Sequence, residues 1–262
     1  MCLLVVCSQV LAEWPLIVAA NRDERLDRPA APVDVLRANG PKTVGGRDLM
    51  AGGTWLAVNE NGVVAGLTNK PAVEGRDPSK RSRGEIPLAL TASATAGESV
   101  AAFTAATSPG DYNPCWALVG DRASLYYLDI TQPDHVLSVA LGPGVHVLEN
   151  KPIEEPSPKA DHVRRLLGDV GSMRPEQVLT ALERVLVDHS VNQAPADDTD
   201  RAHLASRASA CCVHSQEYGT RSSMLIKVPG SSSSAPEVWS SDGAACTHPL
   251  MRSTPLDGPP SG

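Results

Sequence analysis

Phenylalanine occurs once in this chain of 262 residues, and aromatic side chains together make up only 3% of it. With 42% hydrophobic residues, a sizeable core is still available, but it has to be assembled from Val, Leu and Ala. Positive charge is also in short supply. The 23 Lys and Arg are outnumbered by 30 Asp and Glu, giving a formal net charge of −7, so the overall field repels a nucleic-acid backbone or an anionic membrane surface; a local basic patch escapes that argument. No apolar run approaches the ~20 residues of a membrane span. The apolar opening is too short for a secretory signal and lacks its basic flank, so a cytoplasmic protein is expected. Among the six cysteines there is no Cys-x-x-Cys pair, and no two histidines stand at helical ligand spacing. The spacings therefore match no zinc site and no metal is expected. In a reducing compartment the cysteines should be thiols, with Cys7, Cys115, Cys211 and Cys212 serving as core filler.

What is present is concentrated at the start. Met1-Cys2-Leu3-Leu4-Val5-Val6-Cys7 and Leu16-Ile17-Val18-Ala19-Ala20 are short apolar runs separated by a polar segment containing Trp14-Pro15, a pattern that predicts an antiparallel hairpin. With the bend between about Leu11 and Glu13, Cys2 falls opposite residues 21 to 24, because paired positions are equidistant from the turn. A cysteine that becomes residue one on removal of Met1 would thus face Asn21-Arg22-Asp23-Glu24.

Further along, residues 25 to 46 are rich in Pro, Arg, Asp and Gly and are expected to be loop. Asn61-Gly62 is a strong hairpin signal between strands expected at 54–59 and 63–68, and counting outward from it sets Asn69 opposite Thr54, beside Gly52 and Gly53. The basic stretch holding Lys70, Arg76, Lys80, Arg81 and Arg83 is either a solvated loop or a rim for an anionic substrate. Two helices are expected between Glu85 and Thr107, broken near Gly97, with Ser93 or Thr95 as alternative caps. Strands are expected at 115–120, 124–129 and 145–148, the last leading to Glu149-Asn150, and helices at 159–167 and 175–188. Residues 190 to 207 look like polar loop. Strands at 210–214 and 222–228 would be joined across Tyr218-Gly219-Thr220-Arg221, with an edge strand at 237–240. Residues 1–243 are expected to form a single domain and 244–262 a disordered tail. The order strands, helices, strands, helices, strands suits an α+β architecture of two face-to-face sheets with helices outside them.

The chemistry that these residues could support begins with Cys2. An α-amino group titrates near ~7.7–8.0 and a free thiol near ~8.5, so an N-terminal cysteine carries its own base. Acyl transfer also needs a group to orient the amine and donors for an oxyanion. Asp23 is the nearest carboxylate. Asn69, Asn150 and the backbone near Gly52 and Gly53 are uncharged donors at strand ends, and Arg22 or Arg221 could lower the thiol pKa. Each residue also has a purely structural explanation: Cys2 as a strand end, the asparagines as turn formers, Arg22 as half of a surface ion pair.

Cys2 after Met1, Ala20-Asn21-Arg22-Asp23-Glu24, Gly52-Gly53-Thr54-Trp55-Leu56, Gly66-Leu67-Thr68-Asn69, Arg83-Gly84-Glu85 and Tyr218-Gly219-Thr220-Arg221-Ser222-Ser223 together resemble the NRDE family, also called the transport and Golgi organisation protein 2 family. The resemblance runs from residue 1 to about residue 240. That family is in turn similar to the N-terminal nucleophile hydrolases of the bile salt hydrolase and penicillin V acylase branch. The likeness implies a four-layer αββα sandwich with antiparallel sheets, and an amide hydrolase or acyltransferase acting on a small-molecule acyl or amide substrate without a cofactor. Carried over motif by motif, catalytic roles would fall on Cys2, Asp23, Asn69, Asn150 and Arg221, with Asn21, Arg22, Gly53, Thr54 and Trp55 lining the substrate site. The hydrolases keep an arginine two residues before the asparagine of the second strand; here Ala19 or Ala20 stands there and the arginine is Arg22. The resemblance also implies an alternative, since members of the family are linked to haem trafficking and lipid homeostasis: a non-enzymatic carrier of a haem-like or acyl ligand using the same pocket.

Overall fold

The computed structural model describes residues 2–71, 75–190, 210–253 and 255–256. Strands β1 (Cys2–Ser8) and β2 (Leu16–Arg25) form the expected hairpin, with Cys2 opposite Arg22 and Leu4 opposite Ala20. They sit inside a six-stranded antiparallel sheet ordered β10-β1-β2-β11-β12-β13, whose other members are β10 (Gly144–Leu148), β11 (Tyr218–Val228), β12 (Glu237–Ser241) and β13 (Met251–Ser253). The second sheet is a seven-stranded antiparallel array of β3 (Ala30–Arg37), β4 (Thr43–Asp48), β5 (Leu56–Asn59), β6 (Val64–Asn69), β7 (Cys115–Gly120), β8 (Leu125–Ile130) and β9 (Leu137–Leu141), paired in chain order.

The unbroken apolar run of β1 is explained by burial on both faces. Leu4 and Val6 point between the sheets, where they meet Leu56, Val64 and Leu118 of the second sheet. Leu3 and Val5 point outward to α3 (Pro158–Leu167) and α4 (Pro175–Leu186), which contribute Val163, Leu167, Val178, Leu182 and Val185. On the far side, Ala65, Ala117 and Val119 pack under α1 (Glu85–Leu90) and α2 (Ala96–Ala106) through Ile86, Leu90, Val100 and Phe103. The layers are therefore α, β, β, α, as expected. The aliphatic bias of the composition is realised in the two sheet faces that pack together.

Several local expectations are corrected. Residues 25 to 46 are not a surface loop: they form β3 and the start of β4, whose pairing carries two register irregularities that interrupt the period-two pattern. The break between the first two helices lies at residues 91–95 rather than at Gly97, and Thr95 is the cap, accepting from the Glu98 backbone while the Glu98 side chain accepts from its own N–H. Strand β9 had no counterpart in the sequence reading. Tyr218-Gly219-Thr220-Arg221 is the opening of β11 and not a turn, and of residues 210–214 only His214 makes a bridge, to Gly219. The segment expected to be tail adds β13 to the sheet edge, and Leu256 is buried in the inter-sheet core. The loop expected at 190–207 falls almost wholly outside the described residues, as do 257–262.

The Asn61-Gly62 hairpin forms with a one-residue shift. Gly62, at φ +88°, closes a turn on the Asn59 carbonyl, and Asn59 N–H donates to Val63 O. The extra residue pairs Leu56 with Gly66, so Asn69 stands level with Gly53 instead of Thr54. The fully buried Asn59 side chain fastens this turn. Its Oδ1 accepts from the N–H groups of Asn61 and Val63, and its Nδ2 donates to the carbonyls of Thr91 and Ser93. Asn59→Ala should remove four hydrogen bonds, two of them to part-buried partners, leave the buried Val63 N–H unpaired and cost about 3 kcal/mol, read as a lowered urea midpoint at unchanged slope.

Candidate active site

One end of the sandwich gathers the opening of β1, the last residues of β2 and β6, the residues after β10, and the first residue of β11. Between them lies a cavity of about 400 Å³ whose lining includes Cys2, Arg22, Asp23, Thr54, Trp55, Asn69, Asn150 and Tyr218. Antiparallel pairing dictates this convergence. Every second strand starts where its neighbour ends, so residues near 2, 22, 150 and 219 share one edge of the first sheet.

Cys2 is half-buried at the cavity. Its backbone nitrogen donates to Asn150 Oδ1 at 2.9 Å, and Asn150 Nδ2 donates to the Asn69 carbonyl. Asn150 therefore holds the start of β1 to the end of β6. Burial pushes the Cys2 thiol above its ordinary value; a carboxylate at Asp23 adds to the rise, while the Asp23 backbone and the Arg22 guanidinium oppose it.

Asp23 lies on the other face of β2, the face that carries Asn21, by the alternation of a strand. Its Oδ1 accepts from Thr220 Oγ1 at 2.7 Å, and its carbonyl accepts from Tyr218 Oη at 2.8 Å. Burial raises this carboxyl to about 6, although the positive charge of Lys159 from α3 and the Thr220 hydroxyl both hold it down. A β-bulge makes the Thr220 contact possible. Thr220 pairs with Asp23 and Ser222 with Arg22, so Arg221 is an extra residue in β11. Regular alternation would put Arg221 on the face of Ser223 and Asp23. The bulge gives that face to Thr220 and sends Arg221 into a separate small pocket with Ser222, Met224 and Ser241.

Arg22, 4% exposed, is the direct cross-strand partner of Cys2. Its guanidinium stacks 4.4 Å from the Trp55 ring centroid and lies 3.4 Å from Asp48 Oδ2, which also takes Arg28 Nε at 2.7 Å. The alanines that stand where the related hydrolases keep an arginine are core residues: Ala20 faces the inter-sheet core and Ala19 the α3–α4 layer. Arg22 reaches the cavity from two or three residues further along the strand. The opposite wall carries Ser82, Arg83 and Gly84. Gly84 presses on Gly53 so closely that a Cβ added to Gly53 would come within 2.4 Å of Gly84 backbone, and Thr54 N–H donates to Gly84 O.

Of the residues expected at the site, Cys2, Asp23, Asn69, Asn150, Arg22, Thr54 and Trp55 line one cavity. Arg221 does not join them. Nor does Asn21, whose side chain donates to the carbonyls of Leu186 and Cys211 and accepts from Ser223, and Gly53 acts through its contact with Gly84. Arg28 and Asp48 do not stand out in the sequence, because Arg28 lies just before β3, inside a stretch whose composition is that of a loop, and Asp48 ends β4, whose pairing the sequence pattern does not show. Of the basic residues weighed as a rim, Arg76 and Arg83 reach the cavity. Among the described residues that line it there is no histidine or methionine, and Cys2 is the sulfur donor.

This layer order and strand pairing define the N-terminal nucleophile hydrolase fold. The conjugated bile acid hydrolase of Clostridium perfringens, solved as a mutant, superposes with a TM-score of 0.56 at 9% identity, over 98% of this chain and 94% of that one. The Caenorhabditis elegans ortholog of N-acylethanolamine-hydrolyzing acid amidase superposes at 0.52 with 13% identity, over 87% and 93%. At these identities the likeness concerns the fold. Residues 1–234 match the family model described as Transport and Golgi organisation 2, and the chain belongs to that family. Similar relatives are the Transport and Golgi organization 2 homologs of Mus musculus, 27% identical, and Homo sapiens, 29% identical, each aligned over 82% of both chains.

Because Asp23 binds its proton more tightly in the folded chain, its ionisation favours the unfolded state. The associated stability is complete below the ordinary carboxyl value near 4 and is lost as pH rises to about 6. Asp23→Asn cannot titrate. Its stability relative to the parent should therefore improve between pH 4 and pH 7 by up to about 3 kcal/mol; a difference that stays flat with pH would place the carboxyl in the ordinary range.

Proposed function

We propose that this protein is an N-terminal cysteine amide hydrolase or acyltransferase that forms a thioester on Cys2 with a small-molecule substrate. The observation that carries this is the Cys2 backbone nitrogen, held at 2.9 Å by Asn150 Oδ1 at a cavity that also contains Asp23, Arg22 and Asn69. On removal of Met1 that nitrogen becomes an amine already supplied with an acceptor. Two superposable structures, a bile acid hydrolase and an acid amidase, agree with this class.

In the proposed cycle the free amine takes the proton from Cys2 Sγ, offsetting a thiol that burial keeps protonated. The sulfur attacks the substrate carbonyl, and the C–N bond breaks as the ammonium returns its proton to the leaving nitrogen. Water or an acceptor nucleophile then cleaves the thioester, and the thiol is regenerated. Asn69 is the side-chain donor at the cavity for the oxyanion. Asn150 positions the amine, because one of its amide N–H groups is committed to the Asn69 carbonyl. Asp23 holds charge near the amine, and Arg76 and Arg83 favour a substrate with an anionic group.

The test is incubation with a panel of amide and lactone electrophiles followed by intact-mass and peptide mapping. A mass lower by one methionine residue and acylation confined to Cys2, abolished in Cys2→Ala, are expected. A retained Met1 sinks the proposal, because the nitrogen then stays in a peptide bond; so does ligand retention that is unchanged in Cys2→Ala with no adduct. Activity should also fall by at least about tenfold in Asn150→Ala, chiefly in kcat, since loss of the Oδ1 acceptor misplaces the base.

A further inference from the structure

Outside the cavity, on the far side of Thr220, three chain segments bring together two thiols and two imidazoles. Cys212 Sγ lies 3.7 Å from Cys246 Sγ and 3.6 Å from His214 Nε2, which is itself 3.2 Å from Cys246 Sγ. His189 completes the group, and the ligand atoms of all four residues lie within 4.8 Å of one another.

These distances are the edges of a coordination tetrahedron. With Zn–S about 2.3 Å and Zn–N about 2.0–2.1 Å at tetrahedral angles, sulfur–sulfur edges come to about 3.8 Å and sulfur–nitrogen edges to about 3.6 Å. The three edges recorded are within about 0.4 Å of those values, whereas a disulfide needs its sulfurs at about 2.05 Å. A tautomer is also defined for His189. When its Nδ1–H donates to the Cys212 carbonyl, 3.3 Å away, Nε2 carries the lone pair for a metal, the arrangement by which backbone carbonyls orient ligating histidines.

We propose that His189, Cys212, His214 and Cys246 form a structural zinc site. Binding is balanced as Zn²⁺ plus two thiols and two neutral imidazoles giving a neutral Cys₂His₂ complex and two protons released to solvent. Four protein ligands leave no open position, so the metal staples and does not catalyse. It would tie residues just past α4 and the turn after β12, where the N–H groups of Thr247 and His248 both donate to Ala244 O, to the strip leading into β11. That strip supports the active site: the Cys211 carbonyl accepts from Asn21, and Val213 N–H donates to Thr220 Oγ1, the hydroxyl that donates to Asp23. The site is independent of whether Cys2 reacts.

The spacing conceals it. A histidine, then a Cys-x-His, then a lone cysteine beyond the next hairpin correspond to no tandem zinc pattern, and only β11 and β12 folding together close the set.

The full chain, purified with reductant and stripped with chelator, is titrated with Co²⁺ alone and then with Zn²⁺. One equivalent of Co²⁺ should give the visible bands of a tetrahedral site with thiolate charge transfer, and one equivalent of Zn²⁺ should bleach them and raise Tm. Cys246→Ser changes an exposed position and should leave the circular dichroism spectrum intact. It and His214→Ala should each weaken binding by more than about tenfold, while Cys115→Ala retains it. If Cys212→Ser does not fold, these two variants answer alone. The absence of a tetrahedral spectrum at one equivalent overturns the proposal. So does binding undiminished in both Cys246→Ser and His214→Ala, or a Cys212–Cys246 disulfide that persists in reductant.

Discussion

The antiparallel pairing of β1 with its two neighbours is the constraint from which the rest follows. Cys2 lies opposite Arg22 on one side, and two residues later Leu4 lies opposite Leu148 on the other. The strand is buried on both faces, so a register slip by one residue would exchange the side chains facing the second sheet with those facing α3 and α4. Fixing that register fixes where the chain begins, and Asn150, two residues past β10, then takes the Cys2 nitrogen. The candidate site is in this sense a by-product of core packing, positioned by Leu3, Leu4, Val5 and Val6 as much as by its polar members.

Electrostatics at the cavity are arranged in two groups. Arg22 and Arg28 share Asp48, with Glu24 within 3.8 Å of both, so much of that charge is compensated inside the wall. Asp23 stands apart on the opposite face of β2, where burial raises it and Lys159 and Thr220 restrain the rise. In the cycle proposed above, a carboxyl held near the upper edge of its range would suit proton traffic better than a surface aspartate of ordinary acidity. In the same proposed reading, the arginines of the outer wall, Arg76 and Arg83, are the ones left to meet a substrate.

The β-bulge at Arg221 joins the site to the rest of the chain. By adding one residue it turns Thr220 towards Asp23 and away from the inter-sheet side. Thr220 also accepts from Val213, so the segment before β11 is held to the same hydroxyl that supports the carboxylate. A strand irregularity, a buried hydroxyl and the chain's reversal near His214 thus act as one unit.

The layer order and the first hairpin were legible in the sequence because both rest on local periodicity: two apolar runs of strand length, amphipathic helices at 159–167 and 175–188, and a Gly-containing turn at Asn61-Gly62. Residue type and chain position likewise singled out Cys2, Asp23, Asn69 and Asn150. What tertiary structure alone decided lies wherever one extra residue breaks the count. The turn at Gly62 moves Asn69 level with Gly53, the irregular pairing of β3 with β4 turns an apparent loop into two strands that carry Arg28 and Asp48 to the cavity at their ends, and the bulge in β11 exchanges Arg221 for Thr220. Period-two alternation carries no record of such insertions, because their cost is offset by contacts between residues distant in the chain. The same holds for His189, Cys212, His214 and Cys246, whose proximity depends on which strands pair and not on how far apart the letters stand.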